Sequence, residues 1–100
     1  MIKNFTAYNL AIQLHRHVET MGLKASLQDQ VQRASESVVL NLAEGSAKPT
    51  KRDKQRFYAI AFGSVREIQA VFDITQPTDK RVIELADRVA AIIYRLTYPR

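Results

Sequence analysis

The sequence predicts an all-α fold, an antiparallel four-helix bundle in up-down-up-down order. No segment of the 100 residues shows sustained two-residue alternation of β-branched residues, whereas four stretches carry apolar residues at three- and four-residue spacing. The three connections between these stretches are short, which favours antiparallel neighbours. With 46% hydrophobic and 25% charged residues, the chain is expected to form one folded domain over residues 1–100.

The first helix is predicted over about residues 5–20, with Gly22 as its stop. It carries two apolar stripes. The broader stripe is predicted to face the core and consists of Phe5, Tyr8, Ala11, Ile12, His15 and Val18. The second stripe lies round the side of the helix and consists of Leu10, Leu14 and Met21.

The second helix is predicted over about residues 26–45, with Ser26 as the N-cap and Gly45 as the stop. Its spacing indicates one core-facing stripe beside a polar one. The core residues are expected to be Leu27, Val31, Ala34, Val38 and Leu42.

The third helix is predicted over about residues 50–75, with Thr50 as the N-cap and Asp53 three residues later near the positive helix end. Pro77 marks its end. The predicted inner face consists of Phe57, Ile60, Ala61, Ser64, Val65, Ile68, Val71 and Phe72.

The fourth helix is predicted over about residues 78–97, with a heptad-like core stripe of Val82, Leu85, Ala86, Val89, Ile93 and Leu96. A further stripe of Ile83, Ala90 and Tyr94 exceeds what one small core can hide. Together with the second stripe of the first helix, it predicts a subunit interface. A chain this short buries a limited share of its surface and gains stability from self-association.

The second helix also carries a polar stripe of Arg33, Ser37, Asn41 and Glu44, which fall within about 80° of each other on a helix. One interpretation is a ligand site, and the other, which we favour, is a partly buried hydrogen-bond network that fixes helix register. We expect Arg33 to pair with Glu44, or with Glu67 three residues after Ser64, and Asn41 to bond to backbone or side chain. The network would then span two helices.

No pattern typical of catalysis or metal binding is present. The chain has no cysteine, and His15 and His17 are two residues apart on a helix, so their side chains point about 200° apart and cannot chelate one metal. Ser37 has no histidine at helical spacing, and no glycine-rich phosphate loop or paired-carboxylate motif appears. We therefore expect no enzyme and no cofactor, and favour a satisfied core or interface role for His15 over a general base.

No apolar run in the sequence approaches the length of about 20 residues that a membrane span needs. The start of the chain lacks the apolar stretch of a signal peptide. Because the absence of cysteine also fits a reducing compartment, the expected location is the cytoplasm, away from membranes.

Basic residues are concentrated in one segment. The chain carries net charge +5, and residues 48–56 hold a net +4 with Asp53 as the one carboxylate and five cations, Lys48, Lys51, Arg52, Lys54 and Arg56. A helix N-terminus already offers amide donors to phosphate, and cations placed there oppose the macrodipole. The segment therefore predicts contact with the phosphate backbone of RNA or DNA, without a sequence code. The alternative is that this segment is only a solvated hairpin tip. In that case Arg81, Arg88 and Arg95 on the fourth helix offer another basic surface.

Two motifs carry a family resemblance. Residues 30–45 read Q-x-x-R-A-x-x-S-x-x-x-N-x-A-E-G, and residues 57–67 read F-x-x-I-A-x-G-S-x-x-E. In this order and separation they resemble the four-helix-bundle family of 23S rRNA intervening-sequence proteins, and the likeness extends from Asn4 to the fourth helix. The short first connection, Met21 to Ala25, departs from the longer link of many members, so a ribosomal-insert branch and an accessory-protein branch are both open.

The resemblance implies a ring-like homopentamer related to the accessory variability proteins of diversity-generating retroelements, which partner a reverse transcriptase and bind nucleic acid. We therefore predict a non-catalytic, basic, oligomeric nucleic-acid-binding or reverse-transcriptase accessory protein. A protein interaction scaffold, whose basic charge serves only solubility, is the alternative. In a ring of five copies, the basic segments would gather on one rim.

Overall fold

Four α-helices make up the ordered framework of the chain in a computed structural model that describes residue 2 and residues 4–99. They are α1 (Thr6–Glu19), α2 (Ala25–Ser46), α3 (Lys51–Thr75) and α4 (Lys80–Thr97), and the described residues include no strand. The all-α prediction is confirmed, and each helix end lies within two residues of its expected position. None of the four helices combines the length and the apolar character that crossing a membrane requires.

Local hydrogen bonds set the starts of the helices. The Thr50 hydroxyl accepts from the Asp53 amide at 3.2 Å, as expected for the cap of α3. The Asp79 carboxylate caps α4 by accepting from the Arg81 amide at 3.0 Å. The expected cap of α2 is wrong, because this helix begins at Ala25 after Lys24 and Ser26 lies inside its first turn.

The helices run antiparallel to their neighbours along the chain. Between α2 and α3, Gln30 bonds to Glu67, and Ser37 bonds to Ser64. Later residues of one helix therefore meet earlier residues of the other. The same reversal joins α1 to α2, and α3 to α4, and α1 packs on α4 to close the bundle.

The core is built mainly from valine and alanine with a few larger aliphatic residues. On α2 the predicted stripe is buried apart from Leu27, which packs at its edge. On α3, Ile60 is 47% exposed and not part of the inner face, and Tyr58 is buried instead. The remaining buried residues of α3 are Ala61, Val65, Ile68, Val71 and Phe72.

The faces of α1 and α4 differ from the prediction. The buried stripe of α1 consists of Ala7, Leu10, Ala11, Leu14 and Val18. Leu10, Leu14 and Ala90, which were assigned to a subunit interface, therefore lie in the chain's own core and leave almost no surface for a second copy. Of the other assigned interface residues, Met21 and Ile83 are half-buried against the core, and Tyr94 is 51% exposed.

Gly45 serves close packing and does not end α2, which continues to Ser46. A Cβ placed on Gly45 would lie 2.6 Å from Cε1 of Tyr58 and 3.1 Å from Cβ of Phe57. The ring of Tyr58 thus occupies the space that any side chain at position 45 would need. By contrast, a Cβ on Gly63 would meet nothing within 4 Å.

We predict opposite effects of the same substitution at these two glycines. At Gly45, alanine gains about 1 kcal/mol of helix propensity but overpacks against Tyr58 at a cost of about 1–3 kcal/mol, so Gly45→Ala lowers the free energy of unfolding by up to about 2 kcal/mol. The matched control Gly63→Ala raises it by roughly 0.5–1 kcal/mol. Urea unfolding followed by circular dichroism measures both, and a stabilised Gly45→Ala protein would contradict the packing argument.

Candidate nucleic-acid interface

The basic segment, residues 48–56, comprises the end of the connection between α2 and α3 and the first turns of α3. We call it the basic hairpin. It lies at the end of the bundle that also holds the start of α1, because Phe5 packs on Tyr58 with ring centroids 6.1 Å apart. Within the hairpin, Lys51, Arg52 and Arg56 are exposed. Lys48 and Lys54 are half-buried, so the five predicted contact residues form two groups.

Lys48 and Lys54 are held by contacts within the chain. The ammonium group of Lys48 lies 3.1 Å from a carboxylate oxygen of Glu44 and 5.0 Å from the ring centroid of Phe57. The ammonium group of Lys54 donates to the carbonyl of Ser46 at 3.0 Å, and lies 3.5 Å from the carbonyl of Gly45. Since those carbonyls form the negative end of α2, Lys54 stabilises the end of that helix.

Lys51, Arg52 and Arg56 form the exposed group. Within the described part of the chain, no carboxylate lies within 4.0 Å of these three cations. The guanidinium of Arg56 lies 4.9 Å from the ring centroid of Phe57, which orients it without neutralising it. Lys51 and Arg52 begin α3, where the free backbone amides add positive potential. The hairpin thus presents three cations beside a helix N-terminus.

The charged members of the polar stripe do not form the predicted buried pairs. Arg33 has a side chain that is 74% exposed and pairs at 2.9 Å with Asp29, one turn earlier on the same helix. Glu44 pairs with Lys48, and Glu67 accepts from the amide of Gln30 at 2.9 Å. The expected pairing of Arg33 with Glu44 or Glu67 is therefore wrong.

The uncharged members do link two helices. The hydroxyls of Ser37 and Ser64 lie 2.8 Å apart, and the Asn41 side-chain amide donates to the Ser37 carbonyl at 2.9 Å and to its hydroxyl at 3.1 Å. Asn41 therefore bonds as expected. The two serines line an open groove of about 330 Å³ between α2 and α3. The polar network is smaller than predicted and half-buried.

His15 belongs to a second polar cluster, which the sequence analysis missed because its partner Ser35 lies on another helix. Nδ1 of His15 is 2.8 Å from the hydroxyl of Ser35, and Nε2 is 3.3 Å from a carboxylate oxygen of Glu19. Ser35 is 1% exposed and donates its proton to the carbonyl of Gln32 at 2.9 Å. The imidazole thus lies between Ser35 of α2 and Glu19 of its own helix, so both ring nitrogens have polar partners.

The remaining ionisable groups make no metal site in the described part of the chain, where no group of three or more histidine, aspartate or glutamate residues could hold an ion. His17 lies 3.6 Å from Asp79, at the end of the bundle opposite the hairpin. Hydrogen bonding to the Arg81 guanidinium lowers the pKa of the Asp79 carboxyl. Arg88 and Arg95, the other two arginines of the alternative basic surface, are exposed on α4.

A row of three aromatic rings, which periodicity did not predict, lies between α3 and the end of α4. The rings of Phe62 and Tyr94 have centroids 5.6 Å apart, and those of Tyr94 and Tyr98 have centroids 5.1 Å apart. The signal that could have revealed it is the four-residue spacing of the two tyrosines, which places Tyr98, the C-cap of α4, one turn beyond Tyr94 on the same side. Tyr94 had been assigned only to an apolar interface stripe.

Comparison with known proteins identifies a family. The profile described as 23S rRNA-intervening sequence protein matches residues 3–96, which includes all of α1, α2 and α3 and nearly all of α4. No curated protein and no solved structure matches the chain.

We predict that Arg33 contributes little to stability and that Asn41 contributes more. Because Arg33 is solvated, Arg33→Ala changes the free energy of unfolding by less than about 1 kcal/mol. Asn41→Ala removes two half-buried hydrogen bonds and costs about 1–2 kcal/mol. Urea unfolding of both variants, with the exposed Glu36→Ala as control, tests this. A loss of about 3 kcal/mol for Arg33→Ala would show instead that this arginine is a buried partner.

Proposed function

The chain belongs to the 23S rRNA-intervening sequence protein family, and we propose that it is a non-catalytic protein that binds the phosphate backbone of RNA or DNA through its basic hairpin. The observation that carries the proposal is the exposure of Lys51, Arg52 and Arg56 beside the N-terminus of α3, with no carboxylate paired to them among the described residues. Cations in such a place hold phosphate groups and displace the counterions condensed on a nucleic acid.

The proposed binding does not read sequence. Lysine and arginine at a helix start contact phosphate oxygens, whereas sequence is read from the edges of bases or from the shape of a duplex. The affinity would therefore fall steeply with salt and differ little between sequences of one structural type.

We further propose that copies of the chain assemble into a ring. The number five rests on the family resemblance, and the exposed large apolar residues Leu40, Ile60 and Ile74 support an interface between copies. In a ring, the basic hairpins lie at one end of every bundle and gather on one rim. Binding would then be multivalent, and the affinity would exceed that of a single hairpin.

A reverse-transcriptase accessory role is the finer form of the proposal. The two family motifs on α2 and α3 support relatedness to the accessory variability proteins of diversity-generating retroelements, which implies a reverse transcriptase as partner. A gene for that enzyme beside the gene for this chain would support the accessory role, and a position inside an rRNA gene would contradict it.

An interaction scaffold, with charge that serves solubility, is the second candidate. The contacts of Lys48 with Glu44 and of Lys54 with the end of α2 favour it, because they give two of the five hairpin cations a role within the fold.

We predict that replacing the three exposed hairpin cations abolishes most nucleic-acid binding. The triple variant Lys51→Gln, Arg52→Gln and Arg56→Gln should flatten the log-log dependence of affinity on salt by about two to three units for each hairpin engaged. Lys54 is left in place because its loss would weaken α2. Fluorescence anisotropy with labelled RNA and DNA at several salt concentrations measures the slope.

The matched control removes the same charge at the other end of the bundle, in the variant Arg16→Gln, Lys24→Gln and Lys80→Gln. These three residues are exposed. The control should keep most of the affinity and the salt slope. Equal losses in both variants would show that only the overall charge matters, and no binding by the unaltered protein at low salt would sink the proposal.

We predict that the protein in solution has several times the 11.4 kDa mass of one chain. Light scattering at micromolar concentration measures this mass. The triple hairpin variant should have the same mass, because its substitutions lie at the rim. A mass of one chain would overturn the proposed ring. The salt titration would then still test whether a single hairpin binds phosphate groups.

A further inference from the structure

Three aromatic rings line up across the seam between α3 and α4. Tyr94 lies between Phe62 and Tyr98, with interplanar angles of 60° and 53° to these two rings. Tyr94 and Tyr98 are 51% and 55% exposed, although tyrosine has a large apolar body that normally favours burial. We call these three residues the aromatic ladder. It leaves ring surface open to a ligand.

A groove of about 550 Å³ adjoins the aromatic ladder and is lined by Tyr94, Arg95, Tyr98 and Pro99. Its volume falls within the range of about 300–1,000 Å³ that is typical of sites for small organic groups. Arg95 is exposed and places a guanidinium group beside the rings. Such a group can pair with a phosphate or stack on a planar base. The lining thus combines planar apolar surface with a positive charge.

The aromatic ladder lies in line with the basic hairpin. Because α3 and α4 are antiparallel and Phe62 contacts Tyr94, Tyr98 lies one turn, or about 6 Å, nearer to the start of α3. Lys51 and Phe62 are eleven residues apart, close to three full turns, and so share the edge of α3 that faces α4. By the helical rise, Lys51 lies about 16 Å from Phe62 along the axis. One strand could therefore contact both.

We infer that the aromatic ladder stacks unpaired bases of a single strand whose phosphates the basic hairpin neutralises, so that the ligand is single-stranded RNA or DNA. This inference rests on the proposed function. The bases of a duplex are stacked on one another, whereas every base of a single strand offers a ring face to an aromatic side chain. The cations alone would bind a duplex and a single strand alike, and the aromatic ladder adds a preference for the single strand.

The experiment separates base stacking from charge. The protein is titrated with oligodeoxyuridylate, with oligouridylate, and with an abasic phosphodiester strand of the same length and charge. The unaltered protein should bind the two base-bearing strands at least about fivefold tighter than the abasic strand. Its tyrosine fluorescence should be quenched by the base-bearing strands only. The tighter of the two base-bearing strands identifies the sugar that the site prefers, and either preference supports the inference.

Variants of the two tyrosines test the aromatic ladder itself. Tyr94→Leu with Tyr98→Leu keeps apolar bulk but removes the rings, and should reduce the base-bearing to abasic ratio to about one. Tyr94→Phe with Tyr98→Phe should keep the ratio. The control Gln13→Ala, at an exposed residue of α1, should leave it unchanged.

The outcomes distinguish this inference from the proposed function. Equal binding of base-bearing and abasic strands by the unaltered protein overturns the ladder and leaves the hairpin contact standing. No binding of any strand at low salt overturns both. Light scattering could also show that the double leucine variant forms a smaller assembly than the unaltered protein. If its affinity for all three strands is then reduced equally, the aromatic ladder is a contact between copies and the inference is wrong.

Discussion

The position of the basic hairpin depends on the close approach of α2 and α3 at Gly45. The ring of Tyr58 fills the space beside this glycine, so the last turn of α2 lies against the first turns of α3. The carbonyl of Ser46 is then within reach of Lys54, and Phe57 lies next to both Lys48 and Arg56. Packing within the bundle thus fixes the conformation of the hairpin, and the cations at its exposed surface are carried on a helix end.

Periodicity predicted the faces of α2 well and misassigned α1, and the reason lies in the residues. On α2 the apolar residues form one stripe, so the core face follows directly from spacing. On α1, apolar residues occupy two stripes, and periodicity does not say which of them packs closely. The structure buries a face that combines both stripes and leaves Tyr8 and Ile12 at its edge. This buried face consists of Ala7, Leu10, Ala11, Leu14 and Val18.

The candidate site was predictable where it depended on local charge and unpredictable where it depended on partners. The concentration of cations in residues 48–56 is evident from the sequence. Which of them are free is not, because the partners of Lys54 are backbone carbonyls of the preceding helix. Arg33 shows the same difficulty, since Asp29 one turn away competes with any partner on another helix and needs less ordering of the side chains. The pair of His15 and Ser35 has no sequence signal, because twenty residues separate them.

The five cations of the hairpin lie near two helix ends of opposite partial charge. The end of α2 carries partial negative charge, and Lys54 offsets it through the Ser46 carbonyl, which is favourable within the chain. The start of α3 carries partial positive charge, where Asp53 is favourable and Lys51 and Arg52 are not. If charge served only solubility, cations would be better placed at helix ends of the opposite sign. A phosphate group bound at the start of α3 would turn this unfavourable term into a favourable one, since it meets the backbone amides and both cations together. In the free protein, Lys51 and Arg52 thus destabilise the start of α3. Once a polyanion is bound, the same two cations stabilise the complex.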